Sequence, residues 1–375
     1  MDQGKIWRHF DLGLLGGVAL LVIVGIAMIR STTLTSIDPS IQQYTSRQII
    51  YAVGGAVIVV VVAAIDYRLW SSISGAIYAT LIVLLLIVEF IGLRTFGATR
   101  WIDLGIVQLQ PSELGKFLIA LTLGSLIASR GDQVGRFSFV VKTLVHIGVP
   151  IVLIFIEPDL STCLIYIVVW LAMMWAAGLR WQHLAVFGGA AAALAPVAFL
   201  VILGTPQLSY QSDRVIHFLL PDKSSPAYQD TAYNVQQALI SIGSGGWFGQ
   251  GYGHGSQVQL RFLKVRQTDF IFSAIANEFG FVGSLVVILL LAFVVYRIFR
   301  AGQMARDPFG SYLCYGIGAM LLYQSFVNVG MNMSLLPVTG LPLPFVSYGG
   351  SSLWTFLFGI GLVESVVLRH KQIEF

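Results

Sequence analysis

Long apolar segments recur along the whole chain and determine what it can fold into. Of its 375 residues, 56% are hydrophobic and only 11% are charged, whereas soluble domains carry about 25% charged residues. Ten apolar segments, each close to the length of a bilayer-crossing helix, occupy residues 11–30, 48–65, 71–91, 112–129, 139–156, 160–178, 183–203, 269–299, 309–335 and 347–368. The sequence therefore predicts an all-α integral membrane protein with ten transmembrane helices, forming one membrane domain over residues 1–375.

Lysine and arginine in the short loops predict the orientation. Twelve fall on the side of the N-terminus, and four, Arg30, Arg47, Arg94 and Arg100, fall on the other side. Cytoplasmic loops carry the excess of positive charge, so both termini are predicted to be cytoplasmic. The one long connection, residues 204–268 between the seventh and eighth helices, is then extracytoplasmic, as are the short acidic turn 157–159 and the loop 336–346.

Asp269 stands where this long polar loop meets the eighth apolar segment. An acid at a membrane boundary is costly unless it is used. One interpretation is structural, with Thr268 as helix N-cap and Asp269 in the first turn. The other is catalytic, and it is supported by Ser273, Ala276, Gly280 and Gly283, which fall on the same helix face and form a small-residue strip that could admit a neighbouring helix or a lipid tail.

The pair of Glu113 and Lys116 and the single residue Asp159 each allow two interpretations. Glu113 and Lys116, at i and i+3 just after Pro111, can form a buried ion pair that fixes helix packing, or Lys116 can face a phosphate. Asp159 can cap the sixth helix or line a cavity, and its position after Pro158 favours capping.

The remaining polar residues narrow the class of ligand. The outer cations Arg94, Arg100, Arg214, Arg261, Lys264 and Arg266 would together suit a diphosphate. Alternating glycines at 249, 251, 253 and 255 are typical of nucleotide loops, but no strand precedes them, so flexible backbone beside a site is the expected role. Six scattered histidines and two cysteines in apolar segments give no metal or disulfide pattern. The net charge of +4 relates to membrane orientation and anionic lipid, and no nucleic-acid partner is expected.

Several motifs together resemble the SEDS family of shape, elongation, division and sporulation proteins. They comprise Arg-Trp-Ile at 100–102, Gln-Pro-Ser-Glu-Leu-Gly-Lys at 110–116, Pro-Asp-Leu at 158–160, Ile-Gly-Ser-Gly-Gly at 242–246, Thr-Asp-Phe-Ile-Phe at 268–272 and Pro-Leu-Pro-Phe-Val-Ser-Tyr-Gly-Gly-Ser at 342–351. Residues 328–331 and 336–342 are more similar to the elongation branch than to the division branch. Departures from the family pattern lie close to Asp269, at Lys264, Gln267 and Asn277.

The resemblance implies a peptidoglycan glycosyltransferase of the bacterial cytoplasmic membrane that polymerises lipid II at the outer face. It implies a class B penicillin-binding protein as the transpeptidase partner. The family's essential aspartate falls on Asp269, its helix-four pair on Glu113 and Lys116, and its loop arginine on Arg214.

An inverting transfer is expected, with Asp269 as general base. Arg214, Lys116 and Arg100 would hold the diphosphate, and Asp159 is a further candidate for substrate binding. No nucleotide is needed, and a divalent cation, Mg²⁺ or Mn²⁺, at the diphosphate stays open. Two other classes of function also stay open, a lipid II flippase and a non-catalytic scaffold for a penicillin-binding protein.

Overall fold

The computed structural model describes residues 10–36, 38–95, 98–103, 108–189, 193 and 226–370. Its helices are α1 Leu12–Thr33, α2 Pro39–Gln42, α3 Tyr44–Ala64, α4 Tyr67–Ser72, α5 Ser74–Ile91, α6 Pro111–Ala128, α7 Phe137–Ile156, α8 Leu160–Ala176, α9 Pro226–Gly245, α10 Ser256–Gln259, α11 Ile271–Met304, α12 Pro308–Asn332 and α13 Gly350–Leu368. A 3-10 turn covers Gly131–Gln133, and three short strands are β1 Leu93–Thr95, β2 Ala98–Asp103 and β3 Gln108–Leu109.

The membrane-spanning character predicted from the sequence is confirmed. Seven described helices, α1, α3, α6, α7, α11, α12 and α13, are long and apolar enough to cross a bilayer, and α5 and α8 are shorter apolar helices. These nine match nine of the predicted segments. The remaining one, 183–203, begins as helix over residues 181–189 and continues outside the described residues, so the count of ten stays a prediction.

Helix α13 lies in the middle of the bundle. Of its apolar stretch 89% is buried inside the protein, against 33% for α3 and α7, whose remaining faces are left for lipid. It packs mainly on α3 and also on α6, while α12 packs between α8 and α11. Proline at the first helical position starts both α6 and α12, where a missing backbone N–H costs nothing.

Two elements in the connecting segments were not predicted. The strands form a small antiparallel sheet in the order β1-β2-β3, with Arg94 opposite Thr99 and Ile102 opposite Leu109. Helix α9 occupies part of the connection that was expected to be loop over 204–268. Over the residues described, the protein is therefore all-α except for this sheet, which carries Arg100 on β2.

Charged residues bind the helices together at the end of the bundle that holds the start of α12. Arg297 of α11 donates to Asp11, the N-cap of α1, through Nε at 2.8 Å. Arg68 Nε donates to Asp307, the N-cap of α12, at 3.0 Å. These bonds join the starts of α1, α4 and α12 and the last turns of α11 in two pairs, so the carboxylates of Asp11 and Asp307 have structural roles.

Helix α11 is broken at Gly280, and the glycine-rich loop fills the break. Gly280 has φ 67° and ψ −161°, a backbone conformation that glycine tolerates best. Four backbone bonds from the loop replace the lost helical ones: Phe281 N to Gly246 O at 2.8 Å, Val282 N to Trp247 O at 3.1 Å, Gln250 N to Asn277 O at 3.0 Å and Gly251 N to Glu278 O at 2.9 Å. The break therefore leaves these backbone groups paired, as a low-dielectric environment requires.

This arrangement corrects the expected role of Gly249 among the alternating glycines. The loop is neither a nucleotide cradle nor a merely flexible hinge, because its backbone lies directly against another backbone. A Cβ at Gly249 would stand 2.1 Å from Glu278 O, and a Cβ at Gly280 would stand 2.4 Å from Gly249 N. Glycine is needed here for close approach.

Alanine at Gly280 should therefore destabilise the protein. A non-glycine residue at this φ costs roughly 1–3 kcal/mol, and the new methyl group would also push against Gly249. We expect Gly280→Ala to lower the midpoint of thermal unfolding in detergent. Gly16→Ala in α1 is the matched control, since no atom lies within 4 Å of the added Cβ. Equal unfolding midpoints for the two variants would contradict this account of the break.

Candidate active site

One end of the helix bundle collects the polar motifs. Here α6, α8, α11 and α13 begin and α12 ends, and we call this the site end. Gln110 N donates to Ser351 Oγ at 3.1 Å, and Ser161 Oγ donates to Thr339 O at 2.9 Å. Polar motifs that are distant in the sequence therefore meet at one end of the bundle, as the sequence predicted.

The segment carrying Asp269 is fixed through its main chain. Tyr348 N donates to the carbonyl of Gln267 at 2.9 Å, and Ser347 Oγ donates to the carbonyl of Thr268 at 2.7 Å. The carbonyl of Asp269 itself accepts two hydrogen bonds from side-chain amides of α12. Three consecutive carbonyls are thus held by neighbouring elements, while the Asp269 residue is only half-buried. The geometry presents an acid at the rim of the bundle on a fixed backbone.

The predicted capping role of Thr268 and Asp269 is wrong. Helix α11 begins at Ile271, two residues later than a Thr268 cap would require, and its N-cap is Phe270. Thr268 Oγ1 instead donates to Val265 O at 3.3 Å. The structural alternative for Asp269 as a first-turn carboxylate is therefore removed.

The small-residue strip after Asp269 is covered by protein. Ser273 and Ala276 are buried, and a Cβ at Gly245 would stand 1.8 Å from Ala276 O. Gly280 lies against the loop at the break. From Ser273 to Gly280 a neighbouring element and not a lipid tail occupies this strip, because its small residues let the backbone of residues 245–249 approach closely.

Glu113 and Lys116 form a buried ion pair. Lys116 Nζ lies 2.7 Å from Glu113 Oε1, with the two side chains 0% and 5% exposed. The same Nζ donates to Gln324 Oε1 at 3.2 Å and lies 5.6 Å from the ring centre of Phe356. The pair joins α6 to α12 and α13. It is enclosed in this conformation, and its predicted role in substrate binding stays a prediction.

Arg100 and Asp159 meet at the turn between α7 and α8. Arg100 Nε donates to Glu157 O at 2.9 Å, and its Nη2 donates to Pro158 O. Asp159 caps α8, accepting from Thr162 N at 3.1 Å and Thr162 Oγ1 at 2.9 Å, so the capping interpretation is confirmed. Gln110 Nε2 also donates to Asp159, at 3.4 Å. Arg214 lies outside the described residues.

Amides on one face of α12 were missed by the sequence analysis. Gln324, Asn328 and Asn332 are spaced four residues apart and are fully buried. Asn328 Nδ2 and Asn332 Nδ2 donate to Asp269 O at 3.1 and 3.0 Å. The i, i+4, i+8 spacing of amides inside an apolar segment is the signal that could have revealed them.

The described residues contain no group of three or more His, Cys, Asp or Glu side chains placed to hold a metal ion. Mg²⁺ is commonly bound through one or two carboxylates and substrate phosphates.

Comparison with known proteins identifies the family. The family model for cell cycle proteins of the FtsW, RodA and SpoVE type matches residues 12–372. The chain belongs to the FtsW/RodA/SpoVE family. This confirms the resemblance drawn from the motifs, since the SEDS proteins are this family.

Relatives in this family share the whole length of the chain. A probable peptidoglycan glycosyltransferase FtsW of Thioalkalivibrio sulfidiphilus is 34% identical, covering 99% of this chain and 92% of its own length. The peptidoglycan glycosyltransferase MrdB of Escherichia coli K12 is also 34% identical, covering 95% and 94%. A chain in the solved structure of a peptidoglycan synthase complex, which coordinates polymerization and crosslinking, superposes with a TM-score of 0.81 at 29% identity, over 97% of this chain and 99% of that one.

The acidic turn at the site end yields a pH prediction. Glu157 is 1% exposed, and neither carboxylate oxygen has a hydrogen-bond partner among the described residues. Burial, reinforced by Asp159, raises the pKa of Glu157 from 4.5 to about 8. The folded protein therefore keeps this proton between about pH 4.5 and 8 while the unfolded chain loses it, so its contribution to stability falls as pH rises through that window.

We expect the unfolding midpoint of wild type, measured in detergent, to fall more between pH 5 and 9 than that of Glu157→Gln. Glutamine keeps the shape of the neutral acid and cannot ionise. The difference between the two proteins should be smallest at pH 5, where Glu157 is protonated. Parallel pH curves for the two proteins would show that Glu157 does not titrate in this way.

Proposed function

We propose that the chain is a peptidoglycan glycosyltransferase that polymerises lipid II into glycan strands. Support comes from its family and from full-length relatives that carry this activity in their names. The observation that points to one residue is the placement of Asp269, a half-buried acid. The carbonyls of residues 267–269 together accept four hydrogen bonds from α12 and the loop before α13, two of them at Asp269 itself.

The reaction we propose is an inverting displacement. The 4-hydroxyl oxygen of the acceptor GlcNAc forms a bond to C1 of the donor MurNAc, and the bond from C1 to the diphosphate oxygen breaks. Asp269 takes the proton of the attacking hydroxyl, and undecaprenyl diphosphate leaves with the bonding electrons. A base must lie within hydrogen-bond reach of the proton it removes, which is why a fixed backbone at Asp269 matters for this step.

Cations at the site end would offset charge on the leaving diphosphate. Arg100 lies half-buried beside the turn 157–159 and is suited to this role through the guanidinium donors not engaged with the turn. Arg214 is assigned here by its sequence motif alone. Lys116 would act either directly, after the enclosed pair opens, or by holding α12 in place. A Mg²⁺ or Mn²⁺ ion bound at the diphosphate would contribute further positive charge there.

The short loops at the end of the bundle away from the site end carry the excess of positive charge. This supports an extracytoplasmic site end with both termini in the cytoplasm. A multi-pass protein of the bacterial cytoplasmic membrane would then use lipid II after it has reached the outer leaflet. The similarity to a chain from a complex that couples polymerization to crosslinking supports a class B penicillin-binding protein as partner. Residues 328–331 favour a role in cell elongation, as for RodA.

Asp269→Asn should abolish polymerisation while leaving the fold intact. The amide has nearly the same shape but cannot accept the proton, and loss of a general base costs about 10²–10⁴-fold in rate. The assay is gel analysis of strands made from labelled lipid II by purified protein, alone and with a class B penicillin-binding protein. Asp132→Asn, at an exposed aspartate in the 3-10 turn, is the matched control.

Strands produced by Asp269→Asn at the wild-type rate would remove Asp269 as the base. Wild type that makes no strands but moves labelled lipid II across liposomes would favour the flippase. Wild type that does neither, yet stimulates the partner, would favour the scaffold.

A double variant separates the two roles of the buried ion pair. Lys116→Met alone leaves Glu113 as an unpaired buried charge, which should cost about 3–5 kcal/mol in stability. Adding Glu113→Gln removes that charge and should restore the unfolding midpoint. We expect the restored protein to polymerise poorly, with a raised KM for lipid II, if Lys116 contributes to diphosphate binding. Recovery of both stability and activity would show that the pair serves packing only.

A further inference from the structure

Three buried amides form a continuous polar ladder along α12. Gln324, Asn328 and Asn332 lie on one helix face, since residues four apart are neighbours on a helix surface, and each is 0% exposed. A buried amide without partners costs several kcal/mol in an apolar environment. Such a row in a membrane helix is therefore kept for what it binds.

Asn332 stands at the end of the ladder nearest the start of α11 and joins both sides of that start. Its Nδ2 donates to Asp269 O at 3.0 Å, and its Oδ1 accepts from Ser273 N at 3.1 Å and Ser273 Oγ at 2.7 Å. The backbone N–H of Ser273 is one of the donors that a helix start leaves unpaired. Phe270, the N-cap, has no side-chain acceptor, so Asn332 supplies the cap from another helix.

Asn328 ties the same carbonyl to the loop before α13. Its Nδ2 lies 3.1 Å from Asp269 O and 2.7 Å from Leu341 O. The loop contributes in turn, because Ser347 Oγ accepts from Leu343 N at 2.8 Å and donates to Thr268 O at 2.7 Å. The carbonyls of Thr268 and Asp269 are thus both held, by α12 and by the loop before α13.

Gln324 continues the ladder to the buried ion pair. Its Nε2 donates to Pro342 O at 3.0 Å, and its Oε1 accepts from Lys116 Nζ at 3.2 Å. The connected groups therefore run from Glu113 and Lys116 through Gln324 and the loop at 341–342 to Asn328, Asn332 and the carbonyl of Asp269.

We propose that Asn328 and Asn332 are positioning residues for Asp269, and that Gln324 links their loop to the Lys116–Glu113 pair. The inference rests on the proposed function, in which Asp269 takes a proton from the acceptor hydroxyl. The amides act through the main chain: by holding the Asp269 carbonyl they set where the carboxylate stands. Displacing a reacting group by about 1 Å can cost about 10²-fold in rate.

Asn332→Asp is the sharpest single change. It keeps an oxygen to accept from Ser273 but replaces the amide that donates to Asp269 O. We expect kcat for polymerisation to fall about 10²-fold, with KM for lipid II within about twofold of wild type. Ser273→Ala is the matched control, because it removes a bond to the same asparagine while leaving the bond to Asp269 O, and it should keep kcat near the wild-type value.

Backbone hydrogen exchange over residues 267–273 tests the positioning without reference to activity. It should be faster in Asn332→Asp than in wild type and Ser273→Ala. Unchanged kcat and exchange in a folded Asn332→Asp would overturn the inference, and so would equal losses of kcat in the two variants. If Asn332→Asp does not fold, Asn328→Asp poses the same test, since Asn328 donates to the same carbonyl. Inactive wild type would contradict the proposed function, whereas the exchange result would still decide the positioning.

Discussion

Inside a membrane bundle, backbone N–H and C=O groups that a helix leaves unpaired cannot form hydrogen bonds with water and must find partners in the protein. This constraint determines the structure of the site end. Helix α11 exposes such groups twice, at its start and at its break. The break is satisfied by the backbone of residues 246–251, and the start by Asn332 from α12. Asp269 lies just before this doubly supported helix, so its position depends on partners contributed by distant parts of the chain.

The two ends of the bundle use charge differently. At the end where α12 begins, Arg297 and Arg68 pair with carboxylates that cap helices, and these pairs are partly exposed. Toward the site end, the pair of Lys116 and Glu113 is enclosed and connected onward by amides. A buried pair of this kind is weak evidence for added stability, because desolvation offsets much of the attraction. The pair is connected to the loop at 341–342 through Gln324, which accepts from Lys116 and donates to Pro342 O. Through this contact the pair helps to fix the conformation of that loop.

The sequence was sufficient for the nine apolar helices that the structure describes and for the clustering of motifs, since apolar periodicity and loop charge act locally. It predicted the i, i+3 pair of Glu113 and Lys116 and the cap at Asp159 for the same reason. Prediction from the sequence failed where the backbones of two distant segments contact each other. Nothing local distinguishes a flexible glycine loop from one packed against Glu278 O, and a cap supplied by Asn332 lies 59 residues from the N–H it accepts. The start of α11 was placed at Thr268 because a Thr-Asp pair usually caps the helix that follows it.

Asp269 differs from the other aspartates near helix starts in the way its backbone is held. Asp11, Asp66, Asp159 and Asp307 each accept a backbone N–H at the start of the helix that follows. A carboxylate with that task stabilises the helix start. Helix α11 instead takes its cap from Asn332, and the carbonyl of Asp269 accepts from the amides of α12. Hydrogen bonds to the main chain therefore set the position of Asp269, and a general base must lie within hydrogen-bond reach of the proton that it removes.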